Sequence, residues 1–223
     1  MKRVFALLLA LLLTLALAGC ATTEKDNTDA QTTAKAETST QSSAENQTDR
    51  QTETQESIPN ETHSPILVVY FSATGTTKGV AEKLQEALNA DIYEIVPAQP
   101  YTSADLNYND RKSRTSIEMD DPNARPAIAG ELPDLSGYDT VFIGYPIWWG
   151  DVPRIVSNFV EQVDLNGKIL AVFFTSGGSG LGSSMKHLEQ QSGAGTWLEG
   201  KRFSARTTVQ ELSSWAKGLG IER

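Results

Sequence analysis

Cysteine occurs once in the 223 residues, at Cys20, and histidine only twice, at His63 and His187. One thiol makes no intramolecular disulfide, and three side chains spread over the chain are too few for a Cys–His metal centre. Basic residues are scarce as well: 19 lysines and arginines stand against 28 carboxylates, a net charge of −9. From residue 65 onward the balance is still −5, with 14 basic against 19 acidic side chains, and the densest cationic stretch is Arg111, Lys112 and Arg114. A surface that neutralises nucleic-acid phosphates needs clustered lysine and arginine, so nucleic acid is excluded as a partner. No catalytic triad can be assembled either. His63 lies in a polar segment, and His187 falls on an expected helix without an assignable acidic orienter, so it reads as a surface residue. Asp120 and Asp121 are adjacent and therefore splayed, which suits a turn better than general acid–base work.

Long apolar stretches without β-branched character are confined to the amino terminus. Met1-Lys2-Arg3 is followed by an apolar run over residues 4–18 and then by small residues. That is the layout of a secretory signal, too short to span a bilayer comfortably. Leu17-Ala18-Gly19-Cys20 resembles the lipobox of bacterial lipoproteins. The resemblance implies a signal peptide over residues 1–19, diacylglycerol on the Cys20 thiol, and a protein lipid-anchored on the extracytoplasmic side of a bacterial membrane. A plain cleaved signal beside an unrelated cysteine is the alternative. Acyl chains contribute roughly 0.8 kcal/mol per buried CH₂, so the expectation is a chain anchored to the membrane and not spanning it. Residues 21–64 are mostly Thr, Ser, Gln, Asn, Glu and Ala with no hydrophobic period. Such a segment cannot bury enough surface to offset its ordering entropy. Residues 20–64 therefore read as a lipidated cysteine and a disordered polar linker, with an rms reach of about 35 to 40 Å. Ala and Glu leave helix as the alternative, against which the Thr and Ser density argues.

Residues 65–223 form the remaining domain. A chain of that size buries roughly 70% of the surface its unfolded form exposes and needs no disulfide or metal to be stable. Residues 65–71, 139–145 and 168–175 are continuous β-prone apolar runs, the pattern of parallel strands covered on both faces. Residues 90–96 alternate like a strand nearer the edge. Val80, Leu84 and Leu88, with Ala81 and Ala87, mark a helix after the first strand, and a last helix is expected over residues 208–217. A fifth strand is expected near residues 201–205. The alternation is βαβα, and an open parallel sheet of this kind binds ligands at the carboxyl ends of its strands, where the winding reverses.

Three loops lie there. The first reads Ser72-Ala73-Thr74-Gly75-Thr76-Thr77: four hydroxyls and several backbone N–H groups at a helix amino terminus, the makings of an anion cradle. No lysine sits where a nucleoside triphosphate would need it, and no Gly-x-Gly-x-x-Gly opens the helix. A terminal monophosphate fits best, with a threonine-rich helix cap as the alternative. Ser-x-Thr-Gly-x-Thr directly after an amino-terminal strand resembles the phosphate loop of flavodoxins. Gly144-Tyr145-Pro146-Ile147-Trp148-Trp149-Gly150-Asp151-Val152-Pro153 is similar to their aromatic second loop, and Thr175-Ser176-Gly177-Gly178-Ser179-Gly180-Leu181-Gly182 to their third. The resemblance spans about residues 65–217. It implies a doubly wound five-stranded parallel sheet of order 2-1-3-4-5 and bound FMN.

The residue chemistry agrees with that. Of Trp148 and Trp149, one indole can stack on a flavin while the other packs into the domain; two core or rim tryptophans are the plainer reading. Gly150 is free to take positive φ, and the resemblance implies that the peptide between Gly150 and Asp151 turns over when the flavin is reduced. Gly177, Gly178 and Gly180 would admit the ring close to the main chain, while Ser176 and Ser179 bond its polar edge; a merely flexible loop is the alternative. Many flavodoxins carry a tyrosine in this loop, and none stands between Ser176 and Gly182. One flavin face is thus left open to hydride or electron exchange with a second molecule, or else to a cap from another element, for which residues 97–136, with Tyr101 and Tyr108, are the lid candidate; solvated surface is the other reading of that segment. Net negative charge and Asp151 near the ring would make reduced FMN a stronger donor. The functional expectation is FMN-dependent electron transfer with a redox partner protein or a small-molecule acceptor. A flavin-dependent NAD(P)H or quinone reductase, or a flavin-free surface ligand-binding module, are the alternatives. The signal has no twin-arginine pair, so FMN would be acquired after export.

Overall fold

The uninterrupted apolar runs become the centre of one parallel sheet. The structure, a computed structural model, describes residues 65–221; the signal, Cys20, the polar linker and His63 lie outside the described residues. The elements are β1 (Ile66–Tyr70), α1 (Thr76–Leu88), β2 (Asp91–Glu94), α2 (Arg114–Asp120), β3 (Thr140–Pro146), α3 (Arg154–Gln162), β4 (Ile169–Thr175), α4 (Ser184–Ser192), β5 (Thr196–Trp197), β6 (Lys201–Phe203) and α5 (Val209–Gly218). The order is β2-β1-β3-β4-β5, with β6 also on β4 and every pairing parallel. The expected fifth strand is split. β5 pairs with the start of β4, at Ile169 and Leu170, and β6 with its end, from Phe173 to Thr175.

Side chains alternate across a strand, so each central strand feeds two cores. Leu67, Val69 and Phe71 join Ile143, Phe159 and Leu188 on the α3 and α4 side. Ile66, Val68 and Tyr70 join Phe142, Leu84 and Trp215 on the α1 and α5 side. Helix α1 buries Thr77, Val80, Ala81, Leu84 and Leu88, and α5 opens on a capping box of Thr208 and Glu211. A Cβ on Gly144 of β3 would overlap the Phe173 ring, so glycine there is what lets β3 and β4 pack that phenyl.

The long connection before β3 is ordered. Ala98 N–H donates to Ala127 O at 2.8 Å and Ala129 N–H to Val96 O at 2.7 Å, which closes its base. Within it α2 is capped by the Ser113 side chain. Two hydrogen bonds of 2.7 and 2.6 Å from Arg125 to Glu161 tie it to α3. The Arg125 hydrogen bonds hold the Glu161 carboxyl below its usual range, with partial burial opposing. A depressed carboxylate stabilises the fold above the ordinary glutamate range and loses that contribution as pH falls through its folded value. The pair is part-exposed, so the effect is about 1 kcal/mol or less. Glu161→Gln is therefore expected to be less stable than wild type to denaturant at pH 7, and the gap should narrow as pH falls below the ordinary glutamate range.

Candidate functional site

Loop one leaves its donors unused. Gly75 caps α1 at φ +85 with no side-chain cap. Gly79 N–H is bonded to Gly75 O, whereas the N–H groups of Thr76, Thr77 and Lys78 have no acceptor among the described residues. Bare donors at the start of a 13-residue helix form an anion site, since the macrodipole adds partial positive charge there. The hydroxyls divide by role. Ser72 Oγ accepts from Gly75 N–H at 3.1 Å and shapes the turn. Thr77 Oγ1 is buried against Thr175 Oγ1 at 2.8 Å. Thr74 and Thr76 are exposed and make no side-chain hydrogen bond among the described residues. Lys78, 3.5 Å from Glu94, already has a carboxylate partner.

Loop two follows β3 as a tight turn. Trp148 N–H donates to Asp151 O at 3.0 Å and Asp151 N–H to Trp148 O at 2.9 Å, with Trp149 at φ +50 and Gly150 at φ +77 between them. Positive φ at both central residues is the pattern of a type I′ turn. A bulky residue there is a genuine outlier, costing about 1–3 kcal/mol, and such strain persists only where surrounding contacts over-determine it. The two indoles part company. Trp148 meets Phe71 edge-on at 5.4 Å and Tyr101 at 5.3 Å, pinning the base of the long connection to the sheet. Trp149 is 47% exposed.

The carboxylate of Asp151 holds the end of this turn. His187 Nδ1 donates to one oxygen at 2.8 Å, and Arg154 to the other at 3.2 Å. Buried Arg154 also donates to Met119 O and Asp121 O at the end of α2. His187 therefore does have an acidic partner, contrary to the sequence expectation; the two residues are 36 positions apart and meet only because α4 lies beside α3. No hydroxyl is bonded to the imidazole among the described residues, so the contact is not part of a hydrolytic triad. Nor does the Asp151 charge stand alone near the cleft, since two cationic-type donors face it.

The loops enclose a cleft of about 680 Å³ at the carboxyl ends of β1, β3 and β4. Its size suits a cofactor-sized ligand. Thr74 and Thr76 of loop one and Ile147 and Trp149 of loop two line it, as do Leu106 and Tyr108 of the long connection. Thr175, Ser176 and Gly177 supply the third loop's part.

The sequence profile of the flavodoxin family matches residues 65–219. The chain belongs to the flavodoxin family. A proposed flavoprotein of Bacteroides eggerthii is 48% identical over 70% of this chain and 98% of its own, with a TM-score of 0.67. A second proposed flavoprotein, from Bacteroides uniformis, is 41% identical over 70% and 99%, with a TM-score of 0.66. A flavoprotein of Lactobacillus acidophilus crystallised in complex with FMN shares the fold at 22% identity over 68% and 97%, with a TM-score of 0.54. No curated protein matches the chain.

In this family member the cleft gathers Ser72, Ala73, Thr74, Thr76, Thr77, Pro146, Ile147, Trp148, Trp149, Ser176 and Gly177 from the loops singled out in the sequence. Gly75 and Gly150 serve through their positive φ, beside the lining and not in it. Gly178, Ser179 and Gly180 lie outside the lining. A Cβ on Gly177, Gly178 or Gly180 would meet nothing within 4 Å, so crowding by protein does not require those glycines. Four lining residues were not singled out by the sequence: Thr115, which reaches the cleft from α2 within the lid candidate, and Phe203, Ser204 and Ala205, at the end of β6 and just past it.

Tyr101, whose hydroxyl donates to Glu118 at 2.7 Å, has its phenol pushed well above the usual range by burial first and that carboxylate second. It is thereby kept as a neutral donor under Arg114, whose guanidinium lies 4.1 Å from the ring centroid. No group of three or more His, Cys, Asp or Glu is placed to hold a metal ion among the described residues. No helix among them is long and apolar enough to cross a membrane.

Proposed function

We propose that the chain is an FMN-binding electron-transfer protein, tethered through Cys20 on the extracytoplasmic side of a bacterial membrane. The uncapped start of α1 carries the reading. Three N–H donors without acceptors among the described residues and two exposed hydroxyls belong to one short turn that lines an aromatic cleft. With Lys78 paired to Glu94, the positive potential comes from the backbone, which suits a monophosphate better than a longer polyphosphate. Thr74, Thr76 and the N–H groups of Thr76, Thr77 and Lys78 would hold the phosphate. Ile147 and Trp149 would lie against the ring, with Ser176 and Gly177 at its polar edge. Bound FMN supplies one- and two-electron redox chemistry, while the protein supplies binding, orientation and electrostatics. Tyr108 and Trp149 leave apolar surface at the cleft, 72% and 47% exposed, for a redox partner or a small acceptor to cover.

Titrating the protein with FMN is expected to quench tryptophan fluorescence with one site per chain. At FMN one hundred times Kd, stability should rise by about 2.7 kcal/mol, read as a higher unfolding midpoint. No quenching and no shift would leave a flavin-free binding module. Sustained NAD(P)H oxidation with a quinone would make the protein a reductase.

A further inference from the structure

The turn bearing Trp149 carries positive φ at two residues, and beyond its own pair of backbone hydrogen bonds it is backed by contacts from elsewhere in the chain. Two come from the segment that begins α4. Gly182, itself at φ +58, backs directly on the Gly150 carbonyl, and a Cβ added there would overlap that oxygen. One turn later His187 grips the Asp151 carboxylate at 2.8 Å. Both sides of the Gly150–Asp151 peptide thus rest on one short stretch of chain. That stretch is itself fixed: the fully buried Tyr145 shares a hydrogen bond with Ser184 at 3.0 Å, and Ser184 Oγ donates to Leu181 O at 2.6 Å. Neither Gly182 nor His187 lines the cleft, so any effect they have on a ligand passes through the turn.

We infer that Gly182 and His187 are positioning residues, which hold the Trp149–Gly150–Asp151 turn in its positive-φ form and thereby set how it meets the ligand; the ligand's identity as FMN rests on the function proposed above. Gly182 contributes by absence, leaving room for the Gly150 carbonyl to point at α4. His187 contributes a directed N–H, which orients the Asp151 carboxylate together with Arg154. A side chain at 182 forces either the carbonyl to rotate or the third loop to retreat, and in both cases the backing is lost.

The test uses the full chain with ¹⁵N-labelled tryptophan, whose four residues give separate signals. Without FMN, Gly182→Ala and His187→Ala are expected to shift the Trp149 signals while those of Trp197 and Trp215 stay. His187→Asn, which keeps an N–H donor near the Nδ1 position, should restore them. With FMN, each single variant is expected to raise Kd five- to tenfold, and the double variant should fall short of the product, because both act on one peptide. Trp149 signals unchanged in both alanine variants would overturn the inference. So would equal shifts at Trp197 and Trp215, which indicate general loosening. Should Gly182→Ala fail to fold, the half-exposed His187 and its Ala and Asn variants decide alone. Should wild type fail to bind FMN, the proposed function falls, and the FMN-free signals still decide the positioning role.

Discussion

Thr74→Ala combined with Thr76→Ala is expected to weaken FMN binding by about 100-fold or more while leaving riboflavin, which lacks the phosphate, bound as before. Hydrogen bonds to a charged group are worth roughly 1.5–3 kcal/mol each, and every 1.4 kcal/mol is a factor of ten. Two hydroxyls with no partner among the described residues are free to give that full amount to a phosphate. The neighbouring substitution should behave oppositely. Thr77 is buried against Thr175, so Thr77→Ala is expected to lower stability and to change the FMN-to-riboflavin affinity ratio little. Parallel titrations with both ligands separate the cases. Equal losses for FMN and riboflavin in the double variant would show that loop one supports the ring and does not grip a phosphate.

The second large effect concerns stability. Arg154→Met removes the buried guanidinium from Asp151, strips the Met119 carbonyl of its donor and takes from the Asp121 carbonyl one of two, the other being Ala124 N–H. Both side chains of the ion pair are largely buried, 9% and 16% exposed. Breaking such a pair from one side costs up to about 3–5 kcal/mol when the remaining charge is left uncompensated. Here His187 and the Val152 N–H still bond Asp151 and hold the loss toward the lower end. Against a total of about 5–15 kcal/mol for an ordinary domain, that is a sizeable share. Adding Asp151→Asn should restore part of it by deleting the stranded charge. Denaturant unfolding of the single and double variants measures both. A loss under about 1 kcal/mol in Arg154→Met would mean that His187 alone satisfies Asp151.

Much of the architecture was legible because burial on both faces writes itself as continuous apolar sequence. β1, β3 and β4 are such runs, and each ends in a loop whose composition marks it. α1 and α5 show their buried stripes plainly. α2 does not: its buried positions are Thr115, Ser116 and Met119, two of them hydroxyl residues satisfied by Asp105 O and Asp110 O, so no apolar period announces it. The division of the fifth strand was equally silent, since residues 196–203 mix polar and apolar side chains without a clear rhythm. The roles of the paired tryptophans needed coordinates, as adjacency fixes only that they point differently. The Asp151–His187 contact joins positions whose only link is the packing of α4 beside α3, and no local pattern encodes that.

The hydrogen bond between Thr77 and Thr175 fastens the first turn of α1 to the last residue of β4. The cradle is thus tied directly to the base of the third loop, which helps to set the span between them. A molecule whose anionic tail is too short or too long for that interval meets only one of the two ends. On the function proposed above, the fit of a ligand's length along the cleft would then depend in part on a pair of buried threonines.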